Sequence, residues 1–554
     1  MQRRRGQVWL PQLLPSRTKS RLVADDVRRL TYQKNNFQIA VRICNLDTTN
    51  MKRLHPAITA KDSITSAKSH FRIRVGLAVP SAPHELGKWV CSFLLLAALA
   101  PLEADPIDIG SRRELLVDEH CIDRFKGDAK LHLHRPIAKE IVFTGDRPWE
   151  GNICSHFTVF PDGDLFRMYY RAQDYDEVKG RPNAHKFICY AESDDAINWR
   201  RPSLGIFEFN GSSDNNIILN CLQRTASNGA FAVFKDSNPD CPDESRYKAM
   251  ALHRVNGNGL YPFHSADAVH WSLMKSAPGI TQGAFDSQNL AFWDPVRMEY
   301  RVYWRYFTKE RIRAIRTAVS KDFLNWTEPV ELTYPGAPDE QLYTNAIRPY
   351  HRAPHLFIGF PTRLVIPRGD LTEGLFMTSR DAKTFHRWGE AIIPPGVIQS
   401  KWHNRSNYIW WGLIETRSPI EGAPPELSLF CHEAYYRGAA TQLRRYTYRL
   451  DGFVSARAPL TGGEVLTKPL VFSGSRLHVN YASSAAGGLQ VEIQDAKGQP
   501  IDGFELENCP EIYGDTVNHI VAWKSGQDLS RLKGSPVRLR LRLRDADLYS
   551  FQFQ

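Results

Sequence analysis

The sequence predicts an all-β protein, a five-bladed β-propeller followed by a C-terminal β-sandwich. First, a short box, S-x-D-x-x-x-[WF], recurs four times. It reads SDDAINW at Ser193–Trp199, SADAVHW at Ser265–Trp271, SKDFLNW at Ser320–Trp326 and SRDAKTF at Ser379–Phe385, with spacings of 72, 55 and 59 residues. Second, strand–turn–strand segments occupy 156–171, 231–254, 289–305, 345–363 and 407–433, each broken by Asp, Gly or Pro turn residues. Third, no helical periodicity of comparable length runs between them.

A hairpin followed by a box-bearing hairpin makes four strands, the size of one propeller blade, and repetition at this period defines the architecture. Each box follows a short strand-like run, so it reads as the turn between third and fourth strands. Its Ser and Asp hold the turn and its aromatic residue packs between sheets. The fifth unit has no box. Residues 105–150, with KLHLHRPI at 130–137, are expected to lend the propeller a strand or a cap, so the propeller domain spans 105–449. From 450 to 554 short alternating strands with Gly turns predict the sandwich. Near its end Val537, Leu539, Leu541 and Leu543 alternate with Arg538, Arg540, Arg542 and Arg544. Period two puts the leucines on one face and a solvated row of arginines on the other.

The net charge of +11 resides in the leader. Residues 1–104 hold 17 basic and 6 acidic side chains, and the remainder holds 54 of each. The body of the chain is therefore formally neutral, and no nucleic-acid partner is implied. Lys88 precedes an apolar run, Val90 to Ala100, and a small-residue cleavage pattern ends at Ala104. The run is too short to span a bilayer, so 88–104 reads as a signal peptide. The expected location is secreted or periplasmic, with no stable membrane insertion after cleavage. The basic residues 1–80 fit an over-extended translation start. Seven of nine cysteines follow the leader and none forms a CxxC pair, which gives no metal site and no cofactor. Cys221 and Cys241 are plausible disulfide partners, though buried free thiols fit an odd count better.

Propeller topology sorts the acidic residues by end. The innermost strand runs from top to bottom, so Asp162, Asp236 and Asp294 fall in bottom turns with the boxes. Glu150, Asp286, Glu340 and Glu433 fall at the top, and are the candidate catalytic carboxylates; Asp174 and Asp176 lie near the same rim. Trp149, Asn152, Asn289, Arg305, Asn345, Arg363, Arg405 and Asn407 also fall at the top. Amides and guanidiniums hydrogen-bond sugar hydroxyls and an indole stacks on a pyranose ring, which makes these the candidate substrate-binding residues.

With five blades and S-x-D-x-x-x-W boxes, residues 130–449 resemble the propellers of glycoside hydrolase families 32 and 43. The LDGFVS stretch at 450–455 and the sandwich beyond it look like the C-terminal domain of family 32. The chain after the leader also resembles a group of secreted propeller proteins common in planctomycete bacteria. The hydrolase resemblance implies a carboxylate at the start of each of the first three blades. Asp286 fits the third and Glu150 is displaced in the first, while the second opens with ASNGAF and has none. Glu433 or Glu340 would have to substitute. The implied activity is that of an exported glycoside hydrolase on an oligo- or polysaccharide. It uses one carboxyl as acid and another as base or nucleophile, the acid's pKa raised by Trp149 or Phe285. The alternatives are a non-catalytic glycan-binding propeller and a cell-surface interaction scaffold.

Overall fold

Each of the four boxes closes a blade at the predicted turn. The computed structural model describes residues 105–183, 185–222, 229–403 and 405–554; the signal-peptide expectation at 88–104 lies outside them. From the axis outward the first blade is Ser155–Asp162, Leu165–Ala172, Phe187–Ser193 and Ile217–Asn220. The second is Phe231–Lys235, Tyr247–His253, Gly259–Ser265 and Ser272–Leu273, and the third Leu290–Asp294, Glu299–Phe307, Arg313–Ser320 and Val330–Glu331. The fourth is Arg348–Tyr350, Ala353–Gly359, Met377–Ser379 and His386–Arg387, with a hairpin, Thr362–Val365 and Leu371–Gly374, inserted before its third strand. The fifth takes Ile414–Thr416, Glu426–Glu433 and Gln442–Arg449 from the chain in order, and borrows its outer strand, Ile137–Thr144, from the beginning. This explains the missing fifth box: no turn joins third and fourth strands there. Central strands are buried along their length because each sheet is covered on both faces, as at all seven positions of Tyr247–His253.

The boxes are Asx turns with a latch. In the first, Ser193 Oγ donates to Asp195 (2.9 Å), whose Oδ1 accepts the amides of Ile197 and Asn198 (both 2.8 Å). The residue after each Asp is left-handed: Ala196 (φ 60°), Ala268 (74°), Phe323 (65°) and Ala382 (66°). Burial opposes the charge on Asp195 and Asp322, but the backbone amides hold both carboxyls at about 2. The hydroxyl of Tyr169 in the first blade donates to the Ala268 carbonyl of the second box (2.8 Å). Tyr303 in the third does the same to Ala382 of the fourth (2.9 Å). Trp199, Trp271, Trp326 and Phe385 pack into the apolar layers between blades.

The bottom-turn carboxylates are latches too. Asp162 pairs with Arg167 and reaches the second blade at Lys235 and Tyr247 (both 2.6 Å). Asp236 pairs with Lys248 and accepts from Tyr300 of the third blade (both 2.6 Å). Asp294 is capped by Arg297 (3.0 Å). All seven described cysteines are free. Cys221 lies in an apolar cluster and Cys241 Sγ sits 2.9 Å from Lys248 Nζ, so the plausible 221–241 disulfide is not formed.

The C-terminal region is built on one long strand, Val537–Phe553, paired along its length with Leu477–Asp495. Its second edge is covered in turn by single or short pairings with Leu470–Phe472, Gly463–Thr467, Val454–Ala458 and Glu114–Leu115. Hydrogen bonding thus joins ten strands into one sheet around a separate apolar core. Both long strands bend together, at a bulge between Ser483 and Gly488 and a left-handed Asp545 (φ 40°). Four N-terminal strands belong here: Ile107–Gly110, Glu114–Leu115, Ile122–Gly127 and Lys130–Leu133. They cover strand edges that would otherwise be open. Of the strands within residues 105–150, only Ile137–Thr144 joins the propeller. The arginine row is cross-strand: Arg538 meets Asp123 (3.2 Å), Arg540 Glu464 (2.5 Å) and Arg544 Glu511 (3.1 Å), while Arg542 donates to Gln490.

Propeller and sheet meet at Asp451, which is fully buried. It accepts Tyr350 Oη (2.6 Å) and Arg352 Nε (2.9 Å) from the fourth blade, and Ser550 Oγ (2.8 Å) and Asn480 Nδ2 (3.1 Å) from the sheet. Arg113 Nη1 lies 3.5 Å away.

Candidate functional site

Inner strands start and second strands end at the face opposite the boxes. The box face is fixed by contacts such as Arg297, in a bottom turn, donating to the Arg380 carbonyl of the fourth box (2.6 Å). At the top, Arg171 and Arg305 occupy matching ends of second strands, in the related runs MYYR (168–171) and VYWR (302–305). Arg171 Nη2 donates to Tyr435 Oη (2.6 Å). The Arg305 guanidinium lies 4.7 Å from the Tyr343 ring centre and bonds Asp286. Tyr343 stacks on Tyr408 (5.3 Å), which neighbours Tyr435 (6.4 Å); Tyr435 meets Tyr436 edge-on (4.6 Å). Arg405 rests on Tyr436 at 4.7 Å. Three guanidiniums and four phenol rings thus form one layer at the mouth, joined by ring–ring contacts, by cation–π contacts of Arg305 and Arg405 and by the Arg171–Tyr435 hydrogen bond.

A buried imidazole positions Arg405. Trp410 Nε1, which can only donate, bonds His432 Nδ1 at 2.7 Å, so the ring proton sits on Nε2 and is donated to the Arg405 carbonyl (2.6 Å). Burial takes His432 down to about 3, which keeps it neutral and holds this tautomer. Beside Trp410 lies His156 (5.3 Å between rings), which burial and then Arg171 hold well below the usual imidazole range. Non-glycine left-handed residues collect in these loops: His156 (φ 57°), Ala346 (42°), Arg405 (69°), Asn407 (62°), Ala434 (55°) and Tyr436 (62°). Such backbone strain persists only where the surroundings enforce it. Gly229 (φ 92°) stands between Arg171 and Lys186, and a Cβ there would fall 2.9 and 3.0 Å from their stems.

The expected carboxylates are not brought together. Glu150 is 1% exposed, sealed by Tyr170 Oη (2.5 Å), both arms of Arg201 and the Arg147 amide, under the closing strand of the fifth blade. Glu433 follows His432 by one residue, so alternation turns it to the other face of the strand. There Lys401 (2.5 Å) and Arg444 (2.7 Å) outweigh burial and hold its carboxyl below the usual range. Glu340 is clasped by Arg363 and Arg387 within the fourth blade. Asp286 alone projects its side chain into solvent, at 71% exposure beside Arg305. No ion pair or hydrogen bond links any two of the four among the described residues.

The expected binding residues divide likewise. Arg305 and Arg405 are at the mouth. Trp149 donates to Asn216 Oδ1 (2.8 Å) within the first blade. Asn152 ties its loop to the Tyr175 and Gly438 carbonyls. Asn289 and Asn345 hold local turns, Asn407 bonds the Thr372 and Lys401 carbonyls, and Arg363 bridges Glu340 and Glu373. The start of the second blade, 223–228, lies outside the described residues. Arg171, His156, His432 and the four tyrosines were absent from the sequence expectation, although the MYYR/VYWR repeat marks Arg171 as the counterpart of Arg305. At the box end of the axis a cavity of about 590 Å³ is lined by Phe160, Phe234, Trp293, Pro349 and Trp411, among others. Among its charged groups, Lys235 meets Asp162, Asp236 meets Lys248 and His351 meets Glu415 (2.6 Å), while Arg348 donates to the Leu413 carbonyl (2.9 Å).

No family model matches the chain, and no curated protein matches it. Solved structures are similar to it as folds. One is a thermostable family-43 glycoside hydrolase, 13% identical, covering 57% of this chain and 96% of its own, with a TM-score of 0.37. Another is an endo-arabinase from Bacteroides thetaiotaomicron, 9% identical, covering 56% and 98%, at 0.36. A third is an α-L-arabinofuranosidase from Clostridium thermocellum, 14% identical, covering 54% and 91%, at 0.35.

Proposed function

We propose that the protein binds a saccharide in the propeller mouth, as a glycan-recognition protein. The supporting observation is the layer of Tyr343, Tyr408, Tyr435 and Tyr436 interleaved with Arg171, Arg305 and Arg405. Partly exposed rings at Tyr343 and Tyr436 suit the C–H face of a sugar, and guanidinium donors suit its oxygens. Hydrolysis needs two carboxyl groups across the scissile bond, and three of the four candidates are occupied by cations within their own blades. A hydrolase reading keeps one specific support, the exposed Asp286. On the strength of the leader pattern we place the activity outside the cytoplasm.

Titration against fructans, arabinoxylans and sulfated algal glycans tests this reading. Tyr436→Ala and Tyr343→Ala are expected to weaken binding at least tenfold with no release of reducing ends by the native protein. Turnover that disappears in Asp286→Asn would replace it with the hydrolase reading. N-terminal sequencing of the exported protein is expected to start near Asp105.

A further inference from the structure

The charge of the mouth is one-sided. Arg171, Arg305, Arg313 and Arg405 approach the tyrosine layer, and Asp286 is the carboxylate that bonds one of them. Arg171, Arg313 and Arg405 have no carboxylate within 4 Å among the described residues, whereas Arg167, Arg297, Arg363, Arg380 and Arg444 elsewhere in the propeller are all paired. Several of the guanidinium donors are also unfilled. Arg305 is 4% exposed, yet its Nε and Nη1 are buried with no acceptor; so is Arg171 Nε. The Arg405 guanidinium has a ring beneath it and no hydrogen-bond acceptor among the described residues. Tyr408 Oη, on a residue 3% exposed, is likewise buried without a partner.

Unfilled guanidinium donors in a water-poor setting match planar or tetrahedral oxyanions, which accept several hydrogen bonds and neutralise the charge. Hydroxyl groups of a neutral sugar would fill donors but leave several positive charges together in a site of reduced dielectric. We infer that the ligand is an acidic saccharide, whose carboxylate or sulfate ester is bound by Arg171, Arg305 and Arg405 while its ring lies on Tyr343 and Tyr436. This rests on the saccharide reading above and narrows it to a substituent chemistry. His432 acts as a positioning residue, because its bond to the Arg405 carbonyl sets where that guanidinium stands.

The test is calorimetric titration of the whole chain with matched pairs. One arm compares tri-galacturonate with its methyl ester, and the other a sulfated oligosaccharide with its desulfated form. The acidic member of at least one pair is expected to bind thirtyfold or more tighter than its neutral counterpart, and to weaken steeply with salt. Arg405→Gln and Arg171→Gln should each cost tenfold or more for the acidic ligand and under threefold for the neutral one. Arg405→Lys should fall between, since it keeps charge and loses the fork. Because Arg405's side chain bonds nothing else described, its variants should melt within about 2 °C of the native protein. Equal affinity for acidic and neutral members, or no loss in folded Arg405→Gln, overturns the proposal and leaves saccharide binding standing. Failure of every member of both pairs to bind overturns both.

Discussion

Asp451 is where one substitution tells most about how the molecule is held together. It is fully buried and left-handed (φ 61°), so Asn, which tolerates that backbone, is the cleanest replacement. Its Oδ1 accepts Tyr350 and Arg352 Nε, and its Oδ2 accepts Ser550, Asn480 and Arg113. Either orientation of the amide turns an NH₂ group toward at least two donors. It also removes the negative charge facing two guanidiniums, one of which, Arg113, is itself buried. Breaking a buried pair in this way costs about 3–5 kcal/mol. Unfolding entropy of about 2.1 cal/mol/K per residue, over roughly 440 described residues, gives ~0.9 kcal/mol/K, so Tm should fall by about 3–5 °C in calorimetry. Burial raises the Asp451 carboxyl, but Arg352 and then Arg113 bring it below the usual range. A depressed folded pKa means stability that is present above the unfolded value, about 3.9, and is lost as pH falls toward the folded one. The gap between native and Asp451→Asn proteins should therefore narrow from pH 6 to pH 3. Adding Arg113→Met to Asp451→Asn should recover about 1–2 kcal/mol, because it removes the stranded charge. A Tm within 1 °C of native, or a gap of equal size at both pH values, would refute the reasoning.

Other expectations follow from the blades and the sheet. Asp322→Ala frees the amides of Leu324 and Asn325 and should cost about 1–2 kcal/mol in urea unfolding. Since the native carboxyl sits at about 2, that difference should shrink as pH falls from 5 toward 2, while ligand affinity stays unchanged. Tyr169→Phe and Tyr303→Phe each lose one hydrogen bond to a box carbonyl. Each should cost about 1 kcal/mol, and because they act at different blade junctions the costs should add. Arg540→Gln breaks a partly exposed cross-strand pair with Glu464, worth about 0.5–1 kcal/mol and reduced by salt.

The blade repeat was legible because an Asx turn followed by an aromatic packed between blades demands particular residues at fixed spacing, four times over. The outer strand of the fifth blade was less so. Ile137–Thr144 pairs with Gln442–Arg449 some 300 residues away, and nothing local to either segment names its partner. The same holds for Ile122–Gly127, whose pairing with Gly463–Thr467 moved it out of the propeller. The topology argument put Glu150 and Glu433 at the top, but strand position does not give side-chain direction. Glu150 is claimed by Tyr170 and Arg201, 20 and 51 residues on. His432, one residue before Glu433, takes the mouth-facing side instead. Arg171 could be found from sequence, since MYYR repeats as VYWR, once carboxylates are no longer the search target.

The two ends of the axis treat charge in opposite ways, and Arg305 makes the contrast measurable. At the box end Asp162 and Asp236 each meet a cation or tyrosine across a blade junction and Asp294 is paired within its own turn, so buried charge contributes to cohesion. At the mouth Arg305 is buried with two nitrogen donors unfilled, and its one partner, Asp286, is mostly in water. An unfilled buried donor costs about 1–3 kcal/mol, a cost a fold tolerates where a ligand completes the site. Arg305→Met keeps the length of the side chain and its packing on Tyr343, removes the unfilled donors, and leaves Asp286 free to hydrate. The variant should therefore melt no lower than the native protein, and about 2–7 °C higher if only the two unfilled donors mattered, while losing binding to an acidic saccharide by tenfold or more. A fall of several degrees instead would show that Arg305 holds the blades together, and would remove it from the ligand site.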